Sequence, residues 1–178
     1  MTDREAVRRA GGYGERMDAR VDLDAVAVFV AAAGEFDWTW GLADVERLCA
    51  AQGWSLAEVA RPGVVARTEI AVNRPEARFT FFGSRVGMVT VNVTDSFEPD
   101  TDGVSEFVAQ AYGTVGARVT EVLGEPTRRA EGEYPELIWE LKPAALVHVS
   151  ALLGSVKLRC VSAEYQRFND DMRAAASQ

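Results

Sequence analysis

Two segments near the start of the chain carry apolar residues at helical spacing. The first covers residues 23–33, with Asp22 or Asp24 in position to cap its start. The second covers residues 42–49 and stops before Gly53, a residue that suits the end of a helix. Because a short link joins them, we expect the two helices to form a hairpin.

After residue 63 the apolar period changes from that of a helix to that of a strand. Residues 64–72, 77–82 and 85–94 are rich in β-branched and aromatic side chains, and short polar breaks separate them. In the last of these segments Val89, Val91 and Val93 alternate with more polar residues. The pattern predicts three antiparallel strands, with one face of the third in the core.

Helical spacing returns over residues 104–123 and ends at Gly124. This long helix contains Gly113 and Gly116, each of which costs roughly 1 kcal/mol relative to Ala in a helix interior. We interpret the two glycines as positions where the helix packs closely against a sheet.

A second set of strands is predicted over residues 136–141, 146–153 and 156–161, followed by a helix over residues 164–176. The element order is therefore αα-βββ-α-βββ-α. Helices and runs of strands are segregated, which indicates an α+β fold with antiparallel sheet. Two pseudo-equivalent halves and one six-stranded sheet both fit this order.

The chain has 178 residues, of which 48% are hydrophobic and 26% charged, as expected of one globular domain. Residues 1–21 hold three glycines and little periodic apolar content, which predicts a mobile tail before a single domain over residues 22–178. The longest apolar stretch has nine residues, whereas a membrane-spanning helix needs about 20. Without an apolar leader either, we expect a cytoplasmic protein that does not contact membranes, with Cys49 and Cys160 as free, buried thiols.

Standard catalytic patterns are missing from the sequence. His148 is the only histidine and lies in a strand pattern, so we interpret it as structural, and two distant cysteines cannot complete a zinc site. No phosphate-binding loop or dinucleotide fingerprint occurs. We therefore predict no catalytic residues, no metal and no cofactor, and leave open a hydrolase with two catalytic carboxylates.

Acidic residues are concentrated between the third strand and the long helix, while residues 86–117 contain no Lys or Arg. The acids are Asp95, Glu98, Asp100, Asp102 and Glu106. A local interpretation is that Asp102 caps the helix and Glu106 favours its first turn. The alternative is that these acids attract a basic partner. The net charge of −8 repels phosphate backbones, so we do not expect nucleic acid as a partner.

Three aromatic residues, Phe36, Trp38 and Trp40, alternate along the link between the first two helices. In an extended segment they line one side. They either cover the sheet beneath the helical hairpin or form a recognition surface, since Trp residues are common anchors of interfaces.

Several short motifs resemble a family of uncharacterised small actinobacterial proteins, over roughly residues 36–161. The motifs are Trp38-Thr39-Trp40, Asp44-Val45 with Leu48, Gly53-Trp54, residues 122–127 (Val-Leu-Gly-Glu-Pro-Thr) and Ile138-Trp139. That family has no assigned enzymatic activity, so the resemblance implies no catalytic residues. In size, acidity and layout the chain is also similar to immunity proteins that neutralise bacterial toxins, and to α+β secretion chaperones.

These observations favour a non-enzymatic protein-binding module. The most specific form of this hypothesis is an immunity protein that binds the basic domain of a cognate toxin through the five acids together with Trp38 and Trp40. A secretion chaperone or adaptor and a carboxylate hydrolase are the alternatives.

Overall fold

An eight-stranded antiparallel sheet forms the centre of the protein in a computed structural model, which describes residues 18–177. Four helices accompany it within those residues. In chain order the elements are α1 (Leu23–Glu35), α2 (Ala43–Gln52), β1 (Ser55–Ala60), β2 (Gly63–Arg67), β3 (Glu76–Phe82), β4 (Arg85–Asn92), α3 (Val104–Leu123), β5 (Arg128–Ala130), β6 (Glu136–Leu141), β7 (Ala145–Leu152), β8 (Ser155–Ser162) and α4 (Ala163–Ala176).

The sheet consists of two four-stranded meanders joined at one central pair of strands. The strand order is β1-β2-β3-β4-β8-β7-β6-β5, so β4, the last strand of the first meander, pairs with β8, the last strand of the second. Val89 pairs with Cys160 and Val91 with Leu158 across this β4–β8 seam. The single sheet that the sequence suggested as one alternative is therefore present, with eight strands instead of six.

The two faces of the sheet differ in what covers them. Helices α1 and α3 pack against each other, and α3 packs on β7 and β8 over a core that includes Phe29, Phe79 and Leu158. Helix α4 lies on the opposite face, where the Tyr165 ring packs against Phe82 and a Cβ at Gly87 would lie 2.9 Å from that ring. Part of that second face stays uncovered.

The α+β class and the helices are confirmed, but two strands were not predicted. Strands β1 and β5 are additional, so the order is αα-ββββ-α-ββββ-α. The strand predicted over residues 64–72 ends at Arg67. The predicted faces of β4 are confirmed, because Val89 and Val91 are fully buried while Met88 and Thr90 are partly exposed.

The predicted tail lies outside the described residues as far as residue 17. Beyond that point, the backbone N–H of Arg20 donates to the Asp95 carboxylate and Val21 forms a bridge with Thr94. Among the residues that the structure describes, no helix combines the length and apolar character needed to cross a bilayer.

Candidate functional site: an acid-rimmed groove beside helix α3

A groove of about 400 Å³ runs beside the N-terminal half of α3. One wall is the helix face that carries Val104, Val108 and Tyr112, and the other comes from residues 133–135 and the end of β7. Its surface is mostly apolar, and the large side chains of Leu153 and Tyr134 are 63% and 45% exposed. Exposed apolar side chains around a concave surface are typical of binding sites.

Four of the five predicted acids lie exposed beside this groove. They are Glu98, Asp100, Asp102 and Glu106, and Glu133 lines the groove itself. None of these four lines the groove, but Glu98 and Asp100 flank the lining residue Pro99 along the chain, and Glu106 follows the lining residue Ser105. We call these four exposed acids, together with Glu133, the acidic rim of the apolar surface.

The expectation that Asp102 caps α3 is wrong. Gly103 is the N-cap residue, with a positive φ of 82°, and no side chain in the described part of the chain caps the N-terminus of the helix. Glu106 does lie in the first turn, where its negative charge interacts favourably with the positive end of the helix dipole. Its carboxylate also accepts a hydrogen bond from the Gln110 side chain. The interactions of the helix terminus therefore explain why an acid occupies position 106. They do not explain the exposed acid Asp102.

Asp95 belongs to the interior and not to the exposed rim. Its side chain is 5% exposed and accepts hydrogen bonds from the backbone N–H groups of Arg20 and Asn73, at 3.0 and 2.6 Å. The carboxylate thus joins the chain before α1 to the loop after β2. The five acids that the sequence groups together do not share one surface.

Trp38 and Trp40 lie in the hydrophobic core, 9% and 5% exposed. Their rings stack with centroids 4.4 Å apart, and the Trp38 indole N–H donates to the carbonyl of Ala33. The segment is not fully extended, since Trp40 has a φ of 58°. The structure therefore buries both residues, as the covering interpretation describes.

The single histidine belongs to a buried polar network on the other face of the sheet. His148 Nδ1 lies 2.9 Å from Glu136 Oε1, and the Ser150 hydroxyl donates to the same oxygen at 2.7 Å. Burial raises the pKa of Glu136, but hydrogen bonds and charge from His148, the Ser150 hydrogen bond and the charge of Arg159 outweigh it and lower the pKa to about 2. Ser150 is bound to the carboxylate instead of the imidazole, so this geometry provides no activated serine nucleophile.

The two cysteines and the other metal-ligating residue types also form no reactive-thiol or metal site in the described part of the chain. Cys49 and Cys160 are free and buried, as predicted, and burial raises the pKa of both thiols. Within residues 18–177, no three His, Cys, Asp or Glu side chains cluster closely enough to hold a metal ion.

The apolar part of the groove was not predicted from the sequence. Tyr134, Pro135 and Leu153 come from loops and from a turn far along the chain from α3, and only the fold brings them there. One local signal was available: Leu153 is a large apolar residue at the β7–β8 turn, where polar residues are usual.

The fold and the groove define an α+β protein with a helix-covered antiparallel sheet and an acid-rimmed surface groove. The chain belongs to a family of unknown function, DUF6301, whose family model matches residues 24–162. That range runs from α1 to the end of β8 and includes every residue of the groove. Searches of curated proteins and of solved structures found no match.

Proposed function

We propose that this protein is a non-enzymatic binding module whose site is the acid-rimmed groove beside α3. In its most specific form, it is a cytoplasmic immunity protein that binds the basic domain of a cognate toxin. The observation that supports this role is the combination of a mostly apolar groove with exposed acids at its rim.

Each part of the groove has its own effect on binding. Burial of apolar side chains against Val108, Tyr112 and Leu153 stabilises the complex and slows dissociation. The exposed acids attract a basic partner over several ångströms, which speeds association and sets its orientation. A partner segment that carries Lys or Arg beside an apolar side chain fits both.

The test uses the product of the gene adjacent to this one, co-expressed with the full chain. We expect a complex and protection of cells from that product. The triple variant Glu98→Lys, Asp100→Lys, Asp102→Lys should slow association at least tenfold at low salt. A matched variant, Glu35→Lys, Glu58→Lys, Asp171→Lys, makes the same charge change at exposed positions elsewhere and should retain most of the association rate.

A second variant tests the apolar part of the site. Leu153→Ser removes a side chain that is already exposed, so it should leave the fold intact and speed dissociation. Equal effects of the two charge variants, or the absence of any complex, would contradict the proposal. A client that is secreted and active after release would favour the chaperone alternative over an immunity protein.

A further inference from the structure

A second pocket, with the opposite charge, lies on the sheet face that α4 leaves uncovered. It has a volume of about 300 Å³ and is formed by side chains of β3, β4, β8, the end of β7 and the loop before β3. Its polar lining includes Arg74, Glu76, Arg78, Asn92, Lys157 and Arg159. Arg78 lies opposite Thr90, which pairs with Arg159, so side chains from three adjacent strands point to the same side.

Four cations thus meet in a protein whose net charge is −8. Among the described residues, Arg74, Arg78 and Lys157 have no carboxylate within ion-pair distance. The Lys157 ammonium donates to the neutral amide oxygen of Asn92 at 2.8 Å. Burial lowers the pKa of Lys157, and the charges of Arg159 and Arg74 lower it further.

Such crowding disfavours the folded chain by like-charge repulsion, and the nearby carboxylates do not fully neutralise it. Glu76 is in the pocket, and Glu136 lies 3.9 Å from a terminal nitrogen of Arg159. The Nε–H of Arg159 is buried and has no acceptor among the described residues. An incoming anion would supply the missing negative charge.

We propose that this pocket binds a small organic phosphate, with the phosphoryl group on the Arg and Lys side chains and the organic part against Met88 and Leu152. Guanidinium groups match the geometry of phosphate oxygens and bind them in a bidentate manner. The pocket has the size of a small-ligand site, and the strongly negative molecule around it disfavours an extended nucleic acid.

The site is independent of the groove beside α3, although Leu152 lines both. The proposal does not rest on a protein partner. It therefore stands or fails separately from the proposed function.

The test titrates the full chain with pyrophosphate and with phenyl phosphate at low ionic strength, using calorimetry and amide NMR. We expect millimolar or tighter binding of both probes, with the largest shifts at Arg78, Thr90 and Asn92. Phenyl phosphate should also shift Met88, which reports the organic part.

Two variants decide whether the pocket is responsible. Arg78→Gln with Lys157→Gln should weaken binding at least tenfold. The matched control, Arg129→Gln with Lys142→Gln, removes one Arg and one Lys at exposed positions outside the pocket and should bind within twofold of the parent. Since Lys157 is partly buried, the exposed single variant Arg74→Gln serves as a second test, with a clear loss of affinity expected.

Several results would overturn the proposal. They are the absence of binding by both probes at 10 mM, equal binding by the pocket and control variants, or shifts that map outside the pocket. Tighter binding of a single-stranded RNA or of polyglutamate than of either phosphate would also overturn it, because the occupant would then be a different class of molecule.

Discussion

The most buried carboxylate near the aromatic segment, Asp44, shows how one side chain fixes a loop. It is fully buried and accepts hydrogen bonds from the backbone N–H groups of Thr39 and Trp40, at 2.9 and 2.8 Å. The partly exposed guanidinium of Arg47 forms an ion pair with the Asp44 carboxylate. Asp44 therefore holds the turn that brings the Trp40 ring against Trp38.

We predict that Asp44→Asn lowers the free energy of unfolding by about 2–3 kcal/mol. Both backbone N–H groups donate to Oδ2, while Oδ1 accepts from the Thr39 hydroxyl and from Arg47. An amide has a single acceptor oxygen, so an Asn that keeps the two backbone bonds would turn its NH₂ group toward the Arg47 guanidinium and lose the ion pair. Urea denaturation measures the change. Asp37→Asn makes the same chemical change at an exposed position of the same loop and should have little effect, so equal losses in both variants would refute the role of Asp44.

Glu136 makes stability depend on pH. Its pKa is lowered from 4.5 to about 2 in the folded state, so the stabilisation is complete above the unfolded pKa and disappears as the pH falls toward 2. We predict that Glu136→Gln lowers the free energy of unfolding by up to about 3 kcal/mol at pH 7, with the gap closing between pH 4.5 and 2.

Urea denaturation at pH 7, 4 and 2.5 tests this prediction. Glu140→Gln, at an exposed position of the same strand, provides the comparison, because its surface ion pair with Arg128 contributes little. A loss in the Glu136 variant that stays constant across this range would show that its cause is not ionisation.

At the scale of the element, the two glycines of α3 have different roles. A Cβ at Gly116 would lie 2.7 Å from a methyl carbon of Leu137, whereas a Cβ at Gly113 would meet nothing within 4 Å. Close packing, which the sequence suggested for both positions, therefore applies only to Gly116.

We predict that Gly113→Ala raises the free energy of unfolding by about 0.5–1 kcal/mol, the usual gain for Ala in an open helix position. Gly116→Ala should gain less, because Leu137 must move. Thermal and urea denaturation of the two single variants give the comparison, and equal gains would contradict the packing difference.

The two strands that the sequence did not predict, β1 and β5, are the two edges of the sheet. A strand is recognised in a sequence when buried apolar residues alternate with exposed polar ones. Edge strands bury few of their side chains, so this alternation is weak. Leu56 and Val59 of β1 are exposed, and all three residues of β5 are exposed. The inner strands bury several apolar residues each, which is why β3, β4 and β6 to β8 were predictable.

For the whole molecule, the candidate sites were predictable only where their residues are close in sequence. The acids between β4 and α3 form a short run, so their concentration is visible in the sequence. The basic pocket combines Arg78 with Arg159, residues from different meanders, and only the β4–β8 seam brings their strands, β3 and β8, to the two sides of β4. The sequence shows no local signal for that pairing.

Charge is therefore segregated over the surface, and this has a measurable effect on stability. We predict that Arg78→Gln raises the melting temperature at 10 mM salt, because relief of repulsion by the neighbouring cations outweighs the greater net negative charge. The gain should vanish at 500 mM salt, where screening removes the repulsion. Arg129→Gln, which changes the net charge equally but breaks an ion pair with Glu125, should not raise it.

The single seam between the meanders also makes the chain divisible. A break in the exposed loop near residue 100 would leave α1, α2 and β1 to β4 in one fragment, and α3, β5 to β8 and α4 in the other. Reassembly would require that β4 pair with β8, that α1 pack on α3 and that α4 pack on β4. Fused to two interacting proteins, such fragments would complement each other and report on their proximity.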